Sequence, residues 1–363
     1  MKLQVTQENL TKALQTVARV ANTRGTLPVL ANVLIKTVDN RLSIAATNLD
    51  IAITHYIGSK VSEEGSITVP ARLMQDFVGS LPSGVIDLEL EENRLHITTD
   101  KYNSTINGIS AEDFPVMPAI KQANKWTIPG KTLKTALQQV IVAASNDEAR
   151  PVLTGVYLHT HEGNLYMVAT DSYRLAEKKL HKTKENINLL IPANAMQDLL
   201  RIVSDGEDDV EVSHDDQQVL FKVGDVELVT RLIDGKYPDY RKLIPRDFAT
   251  SATLKRSELT NVTKVSSLFA RESAGSVTIN LSEKDQQLSI RSIASQLGEN
   301  TSNASAEVKG DGVITLNSRY LLDALNVLSG ETVRFGFNDK LEPSLLYDIA
   351  TDDYLHVIMP LKS

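Results

Sequence analysis

The stretch IPANAMQDLL, residues 191–200, places a proline after an aliphatic residue and continues into Met-Gln-Asp. VPARLMQDFV, residues 69–78, has the same order at the same offsets. LNSRYLLDALNVL, residues 316–328, repeats the apolar pattern, displaced by 125 residues from the second copy, which is displaced by 122 from the first. Each copy has apolar residues at i, i+1, i+4, i+5 and i+8, the stripe of an amphipathic helix. Three copies at nearly constant spacing predict three homologous domains.

These three predicted helices share two features. Their apolar stripes are Leu73, Met74, Phe77, Val78 and Leu81, then Ala195, Met196, Leu199, Leu200 and Val203, then Tyr320, Leu321, Ala324, Leu325 and Leu328. One aspartate has the same offset in every copy, as Asp76, Asp198 and Asp323. These helices occupy the windows 69–82, 191–204 and 316–330. A second set of amphipathic windows, one nearer the start of each repeat, covers residues 7–24, 130–147 and 254–273. The chain is therefore predicted to hold six helices, two in each repeat.

Short alternating runs rich in Ile, Val and Thr separate the helices, as in VIDLELEENRLHITTD, residues 85–100. Such alternation is typical of half-buried strands. The order helix, strands, helix, strands predicts an α+β fold with two helices on one face of antiparallel sheet in each domain. Proline-containing segments at 113–125 and 234–247 are the candidate linkers. The predicted domains are residues 1–121, 122–245 and 246–363.

Composition narrows the function. The chain has 363 residues, 42% hydrophobic and 23% charged, which is typical of a globular protein. It contains no cysteine, which excludes a disulfide, a cysteine zinc site and a thiol nucleophile. The N-terminus MKLQVTQENL lacks an apolar leader, and no run approaches the ~18 apolar residues of a membrane span. We therefore expect a soluble, cytoplasmic protein without a membrane partner.

Charge is distributed unevenly along the chain. The net charge is −8, yet the six predicted helical windows carry twelve Lys and Arg against seven Asp and Glu. In the first helix, Lys12, Gln15 and Arg19 lie opposite the apolar stripe that begins at Leu10. Basic residues are common on exposed helix faces, so one such helix indicates nothing. Summed over the six helices, the excess of basic residues favours a diffuse basic wall that attracts phosphate without reading sequence.

Helix dimensions indicate how such a wall could surround a duplex. Helices are about 10 Å across, so six of them side by side leave a free hole of only ~9 Å. B-DNA, with a major groove ~12 Å wide, does not pass through such a hole. Twelve helices from two chains leave ~28 Å. A head-to-tail dimer would therefore close a six-domain ring with room for duplex and water.

Several motifs resemble those of the bacterial sliding clamp family, the beta subunits of DNA polymerase III. They span the chain in order as TLPVLANVLI (26–35), RPVLTGVYL (150–158), VATDSYRLA (168–176), RLIDGKYPDYRKLIP (231–245), LNSRYLLDAL (316–325) and VIMPLKS (357–363). The resemblance implies the DNA-clamp fold and a homodimeric ring around double-stranded DNA. It also implies a processivity factor for DNA replication, which a clamp loader places on DNA and which tethers the replicative DNA polymerase. No catalytic residue, cofactor or metal is implied.

The resemblance further implies a pocket for a short peptide carried by the polymerase, the clamp loader and other partners. Its lining would be Leu153, Thr170, Tyr173, Arg174, Leu175, Pro238, Lys242, Leu243, Asn317, Tyr320, Pro343, Val357, Met359, Pro360 and Leu361. Aliphatic members would supply apolar area, while Asn317 and Arg174 would orient the peptide. Tyr173 and Lys362 depart from the His and Arg common in the family, as does the run Ser344-Leu345-Leu346, which affects peptide preference.

Contacts with a second chain and with DNA are also implied. The subunit seam would join the edge strand in residues 101–110 to the segment 266–280, with Ser104, Ile106, Leu268 and Phe269 in contact. Ser104 replaces a large apolar residue of some relatives, which would weaken the dimer. The implied DNA-binding residues are Arg24, Arg72, Arg201, Lys12 and Lys131.

A second class of function is a metal-independent hydrolase or binding protein built on the same repeat. Motifs of the forms GxGxxG, GxxxxGK[ST], HExxH and GxSxG do not occur. His159 and His161 alternate on a predicted strand, a spacing that favours an exposed structural role over a metal site. Asp215-Asp216 and Asp352-Asp353 are typical of turns. Thr170-Asp171-Ser172 offers hydroxyls, but no base is placed by the sequence.

Overall fold

The computed structural model describes residues 1–21, 27–118, 120, 124–203, 206, 209–296 and 298–362. Within these residues the α-helices are α1 (Gln7–Val17), α2 (Ala71–Ser80), α3 (Gly130–Val140), α4 (Ala193–Ile202), α5 (Arg256–Phe269) and α6 (Ser318–Val327). Each one lies inside a predicted window. The prediction of two helices per repeat is therefore confirmed.

The strands of the described residues lie between and after the helices, as the alternating runs predicted, except for the first strand, which precedes α1. The first half of the chain contains β1 (Lys2–Thr6), β2 (Asn32–Val38), β3 (Arg41–Thr47), β4 (Ile51–Gly58), β5 (Lys60–Glu63), β6 (Ser66–Pro70), β7 (Val85–Glu91), β8 (Arg94–Thr98), β9 (Asn103–Asn107), β10 (Asn124–Pro129), β11 (Gly155–His161), β12 (Asn164–Thr170) and β13 (Arg174–Lys182). The second half contains β14 (Asn188–Pro192), β15 (Asp209–His214), β16 (Gln218–Val223), β17 (Val226–Arg231), β18 (Thr250–Lys255), β19 (Ser276–Ser282), β20 (Gln287–Ala294), β21 (Gly298–Ser305), β22 (Glu307–Lys309), β23 (Gly312–Asn317), β24 (Thr332–Phe337), β25 (Ser344–Asp348) and β26 (Tyr354–Ile358).

The chain packs into two compact units, each built on antiparallel sheets. The first unit is Met1–Lys131 with Asp198–Leu232. It holds a five-stranded sheet in the order β5-β1-β7-β8-β9 and an eight-stranded sheet in the order β10-β15-β16-β17-β4-β3-β2-β6. The β17–β4 pair, with Leu228 opposite Ile53, joins a strand of the second predicted domain to one of the first.

The second unit is Thr132–Gln197 with Ile233–Ser363. Its nine-stranded sheet has the order β14-β11-β12-β13-β26-β25-β24-β18-β22, and its four-stranded sheet has the order β21-β20-β19-β23. The β13–β26 pair, with Leu175 opposite Val357, joins the second predicted domain to the third. Sheets therefore continue past the predicted domain ends, and the exact boundaries at 121 and 245 stay predictions.

The helices form where local sequence signals agree. The Thr6 hydroxyl caps α1 by accepting a hydrogen bond from the Asn9 N–H at 3.4 Å. Asn317 caps α6 by accepting one from the Arg319 N–H at 2.9 Å. The apolar stripes are buried, with the side chains of Leu10, Ala13, Leu14 and Val17 fully enclosed on α1. Burial of such a stripe, rather than helix propensity, stabilises helices of this length.

One helix departs from the predicted stripe, and another has polar residues on its buried side. On α2 the buried residues are Ala71, Met74 and Val78, and Leu73 is 53% exposed, so the prediction that Leu73 packs in the core is wrong. Leu73 lies about 100° around the helix from Met74, which places it beyond the sheet-facing side. On α5 the buried positions Thr263 and Ser266 are polar and hydrogen-bonded, Thr263 to the Leu259 carbonyl at 2.6 Å.

The aligned prolines of the first two repeats have a common structural role. Pro28 begins the 3-10 helix Pro28–Ala31, and Pro151 begins the 3-10 helix Pro151–Leu153. Proline suits this position because its fixed φ matches the first helical turn and its missing N–H is not needed there. Across the described residues, none of the helices has both the length and the apolar character required to cross a membrane.

Candidate functional site

The turn between β12 and β13 is the centre of the predicted pocket. The Thr170 hydroxyl donates a hydrogen bond of 2.6 Å to the Arg174 carbonyl. Asp171 Oδ1 accepts hydrogen bonds from the N–H groups of Tyr173 and Arg174, both at 2.9 Å. Ser172 has a left-handed φ of 77° and its hydroxyl accepts from Arg150 Nη1 at 2.9 Å. The side chains of this turn therefore build the turn itself, and a nucleophile–base pair is not assembled among them.

Arg174 is buried and is held by two carboxylates of the chain. Its Nε donates to Asp171 Oδ2 at 3.1 Å, and its Nη1 donates to Asp323 Oδ2 at 2.5 Å. The guanidinium carbon lies 4.5 Å from the centre of the Tyr320 ring. Asp323, the repeated aspartate of α6, thus neutralises a charge from a strand 149 residues away. These contacts hold the Arg174 side chain in place, and its role in orienting a peptide stays a prediction.

Asn317 also forms hydrogen bonds within the chain. Its side-chain oxygen accepts the Arg319 N–H, and its amide nitrogen donates to the Ala274 carbonyl at 3.2 Å. A peptide that met Asn317 would find both amide atoms already paired. Each amide atom of Asn317 keeps a second hydrogen-bonding position, so its role in orienting a peptide stays a prediction.

The apolar residues Leu175 and Val357 of the predicted pocket belong to one buried cluster, which would form its floor. Leu175 and Val357 pair across β13 and β26 and pack with Leu345, Tyr237 and Tyr240. An apolar floor of this kind favours aliphatic or aromatic side chains of a ligand.

The last residues of the chain close one side of the pocket. The Met359 N–H donates to the Tyr173 carbonyl at 2.8 Å, and the Leu361 N–H donates to the Thr315 carbonyl at 2.8 Å. Pro343 directly precedes Ser344, which pairs with Ile358 at the end of β26. The structure therefore brings the turn 170–175, the α6 start and the C-terminal segment together.

Exposure divides the predicted pocket residues into three groups. The buried ones are Leu153, Thr170, Arg174, Leu175 and Val357, and the half-buried ones are Asn317, Tyr320, Pro343, Met359, Pro360 and Leu361. The exposed ones are Tyr173, Pro238, Lys242 and Leu243. Tyr173 is 57% exposed and Leu243 is 47% exposed. Exposed aromatic and aliphatic surface around a buried apolar floor is typical of a peptide site.

The predicted DNA-binding residues are placed less uniformly. Lys12 and Arg201 line one cleft of about 260 Å³ between α1 and the end of α4, together with Gln15, Thr16, Arg19, Asp198 and Ile202. Arg72 is exposed on α2, 3.9 Å from Asp76, and Lys131 is exposed on α3. Arg24 lies outside the described residues. Arg19 was not among the predicted DNA-binding residues, although it lines this cleft just beyond the end of α1.

One carboxylate interrupts this cationic cleft. Asp198 Oδ1 accepts from Arg201 Nη1 at 2.7 Å. Burial raises the pKa of Asp198, and the positive charges of Arg201 and Arg19 oppose that rise. Three cationic side chains around one carboxylate leave the cleft positive, which suits attraction of phosphate.

The predicted subunit contacts require one correction. Ser104 and Ile106 lie on β9, which is an edge of its sheet, as expected. The segment 266–280 does not supply an edge, because its strand β19 pairs with both β20 and β23. The edges of that sheet in the described chain are β21 and β23, so the expected partner strand was wrong. Leu268 remains 52% exposed at the end of α5, while Ile106 is only 5% exposed in its own unit.

The histidine pair also differs from expectation. His159 and His161 share one face, since both rings contact Tyr166. His159 is buried, however, and its Nε2 lies 2.9 Å from the Tyr240 hydroxyl, so an exposed role is wrong for it. Burial on this face comes from a distant segment that spacing did not indicate. In the part of the chain that is described, His, Asp and Glu side chains do not gather in threes as a metal site requires.

Three repeats of a helix pair over antiparallel sheet are the architecture of a DNA-clamp protein. The models of the DNA polymerase III beta subunit match in chain order, the N-terminal domain over residues 1–118, the central domain over 127–239 and the C-terminal domain over 241–362. The chain therefore belongs to the DNA polymerase III beta subunit family, the beta sliding clamps. This family is a non-catalytic processivity factor of DNA replication, which confirms the main functional prediction and gives no support to the hydrolase alternative.

Individual relatives agree over the whole chain. The beta sliding clamp of Bacillus subtilis (strain 168) is 30% identical over 380 residues, covering 100% of both chains. That of Synechocystis sp. is 32% identical over 388 residues, covering 100% of this chain and 99% of the relative. The crystal structure of a sliding clamp from Pseudomonas aeruginosa bound to griselimycin superimposes with a TM-score of 0.95 at 28% identity, with both chains covered completely. The clamp structure from Bacillus subtilis also gives 0.95, covering 100% of this chain and 99% of that one.

Proposed function

We propose that two copies of this chain close head to tail into a six-domain ring around double-stranded DNA in the cytoplasm. The observation that carries the proposal is the pair of sheet edges, β9 and β21, in a chain with three helix pairs. Each unit has several sheet edges, and an unpaired edge is a template for another strand. A closed dimer forms when β9 of each chain meets β21 of the other. The domains in this proposal are residues 1–121, 122–245 and 246–363.

DNA would be held by enclosure and by diffuse charge. The cleft of Lys12, Arg19 and Arg201 offers three cations to phosphate, with Arg72, Lys131 and Arg24 as further contributors. Such contacts are independent of sequence and weaken as salt rises. A ring that relies on them slides rather than stops, because every phosphate is equivalent.

The same ring would present the peptide pocket of the second unit to its partners. The replicative DNA polymerase, the clamp loader and other proteins with a short clamp-binding peptide would share it. The apolar floor at Leu175 and Val357 and the exposed wall at Tyr173, Pro238 and Leu243 support this. Backbone carbonyls and N–H groups near Met359 and Pro360 would fix peptide direction.

A comparison of circular with linear DNA tests whether the protein encloses the duplex. The protein, loaded by a clamp loader onto a singly nicked circular plasmid, should stay with the plasmid through gel filtration at about 150 mM salt. Cutting the plasmid once with a restriction enzyme should release it, because a ring slides off an end while a charge-bound protein does not. Equal retention on circular and linear DNA would contradict the proposal.

A second prediction concerns the proposed seam between subunits. Leu268→Asp should yield monomers by light scattering, because a carboxylate buried in an interface loses its hydration without gaining a partner. Leu268 is exposed in the single chain, and α5 touches β21 through the Ser266–Asn300 hydrogen bond at 3.1 Å. Ile106→Asp is a poorer probe, since Ile106 is buried within its own sheet.

Val313→Asp is the matched control for this seam. Val313 is 49% exposed, close to the 52% of Leu268. It lies on β23, which is the edge of the four-stranded sheet opposite β21. It should leave the dimer intact. A dimeric Leu268→Asp variant, or a monomeric Val313→Asp variant, would show that the seam lies elsewhere.

A further inference from the structure

A buried polar cluster holds the 3-10 helix Tyr240–Leu243. Tyr240 is 3% exposed, and its phenol donates a hydrogen bond of 2.5 Å to Glu177 Oε2. His159 Nε2 lies 2.9 Å from the same phenol oxygen. Because the single phenol proton goes to Glu177, His159 carries its proton on Nε2 and donates it to the phenol. Burial, and then the charge of Arg241, lowers the pKa of His159 to about 4, so the imidazole is neutral at pH 7.

Arg241 completes the cluster on the other side of Glu177. Its Nη2 lies 3.1 Å from Glu177 Oε2, and its guanidinium carbon lies 4.4 Å from the centre of the Tyr166 ring. Burial, and then the charge of Glu177, raises the pKa of Tyr240, so the phenol keeps its proton. The buried carboxylate thus has a guanidinium and a phenol as partners, which its burial requires.

These contacts are what connect the segment to the sheet in a fixed direction. The other polar contacts nearby are internal, from the Tyr240 N–H to the Pro238 carbonyl at 2.8 Å and from Lys242 to Asp239 at 2.7 Å. Tyr237 adds a ring stack on Tyr157, with centres 4.7 Å apart. The side chain of Tyr240 reaches β11 through His159, and β13 through Glu177.

The segment held in this way carries part of the proposed peptide pocket. Pro238, Lys242 and Leu243 all lie within three residues of Tyr240 and are exposed. The ring of Tyr240 belongs to the same buried cluster as Leu175 and Val357, which form the pocket floor. One residue therefore connects the floor of the pocket to its wall.

The geometry points to Tyr240 as a positioning residue of the peptide pocket, which fixes the wall 238–243 through its hydrogen bonds to Glu177 and His159. The inference rests on the proposed peptide-binding function and names a residue that does not itself face the peptide. Because the wall is ordered before the peptide binds, binding loses less conformational entropy. Affinity therefore depends on the hydrogen-bonded phenol and not only on the apolar surface.

Removal of the phenol oxygen tests this role. Tyr240→Phe keeps the ring in the core but loses both hydrogen bonds. Affinity for a fluorescent clamp-motif peptide rich in Gln, Leu and Phe, measured by anisotropy at 20 °C in the full-length dimer, should fall about fivefold to tenfold. Tryptic cleavage after Arg241 or Lys242 in the native protein should become faster, because the segment is no longer tied to the sheet. Tyr347→Phe, which alters a ring packed against the same cluster, is the matched control and should change neither measurement.

Four outcomes of the affinity and cleavage measurements either support or overturn the role of Tyr240. Weaker binding with faster cleavage in Tyr240→Phe alone supports the inference. Wild-type affinity in Tyr240→Phe overturns it while leaving the proposed peptide pocket standing. Equal losses in Tyr240→Phe and Tyr347→Phe also overturn it, since they would reflect general loosening of the core. A wild-type protein that binds no peptide overturns the pocket and the inference together.

Discussion

Truncation after Ile358 is expected to abolish binding of a clamp-motif peptide while leaving the dimer intact. The deleted residues 359–363 include Met359, Pro360 and Leu361 of the proposed pocket. β26 ends at Ile358, so its pairing with β13 and β25 survives the deletion. The loss includes apolar contact area and the backbone that the Tyr173 carbonyl holds in place. Loss of central pocket residues costs at least about 2–4 kcal/mol, or roughly 30-fold to 1000-fold in affinity.

The matched control for this truncation ends the chain after Leu361. It removes Lys362 and Ser363 but keeps the hydrogen bonds from Met359 to Tyr173 and from Leu361 to Thr315. Peptide affinity, measured by fluorescence anisotropy, should stay near that of the intact chain in this control. Binding that survives removal of 359–363 would mean that the pocket has been misplaced.

Replacement of the buried Arg174 is expected to have the largest effect on stability. Arg174→Met leaves Asp171 and Asp323, whose side chains are 14% and 27% exposed, without their shared cation, and a largely enclosed carboxylate without a cation is unfavourable. Breaking a buried ion pair from one side costs about 3–5 kcal/mol. The expected result is a marked shift of the unfolding transition to lower urea concentration, followed by circular dichroism.

Two further variants make the Arg174 prediction specific. Arg319→Met applies the same substitution to an exposed arginine on α6 and should shift the transition by no more than about 0.5 kcal/mol. Adding Asp323→Asn to Arg174→Met should restore part of the loss, because it removes one of the stranded charges. Strict additivity of the two substitutions would show that the pair does not act as a unit.

The repeat explains why so much of the fold could be predicted. Positions such as Met74, Met196 and Leu321 recur at one offset and are all buried in the structure. A stripe of this kind indicates which side of a helix is buried, and that depends mainly on residues within two turns. Where polar residues replaced the stripe, as at Thr263, the core survived because the hydroxyl bonds its own helix.

The site was predicted less completely because its chemistry depends on distant partners. Leu175, Val357 and Met359 do come together, as the resemblance implied. The resemblance implied a peptide contact for Arg174, but it gave no sign of the ion pair with Asp323 on α6. Spacing along the chain does not report a pairing across 149 residues.

By itself the sequence determined the three repeats, the six amphipathic helices and the family, since each follows from local periodicity or from motifs in order. Only the tertiary structure decided which groups were already paired and which edges were free. It buried His159 and Glu177 against Tyr240, enclosed Asp198 beside Arg19 and Arg201, and left β21 rather than β19 at the edge of its sheet. The physical reason is that the free energy of a charge or an unpaired N–H depends on what surrounds it in space, and the chain brings those neighbours from far away.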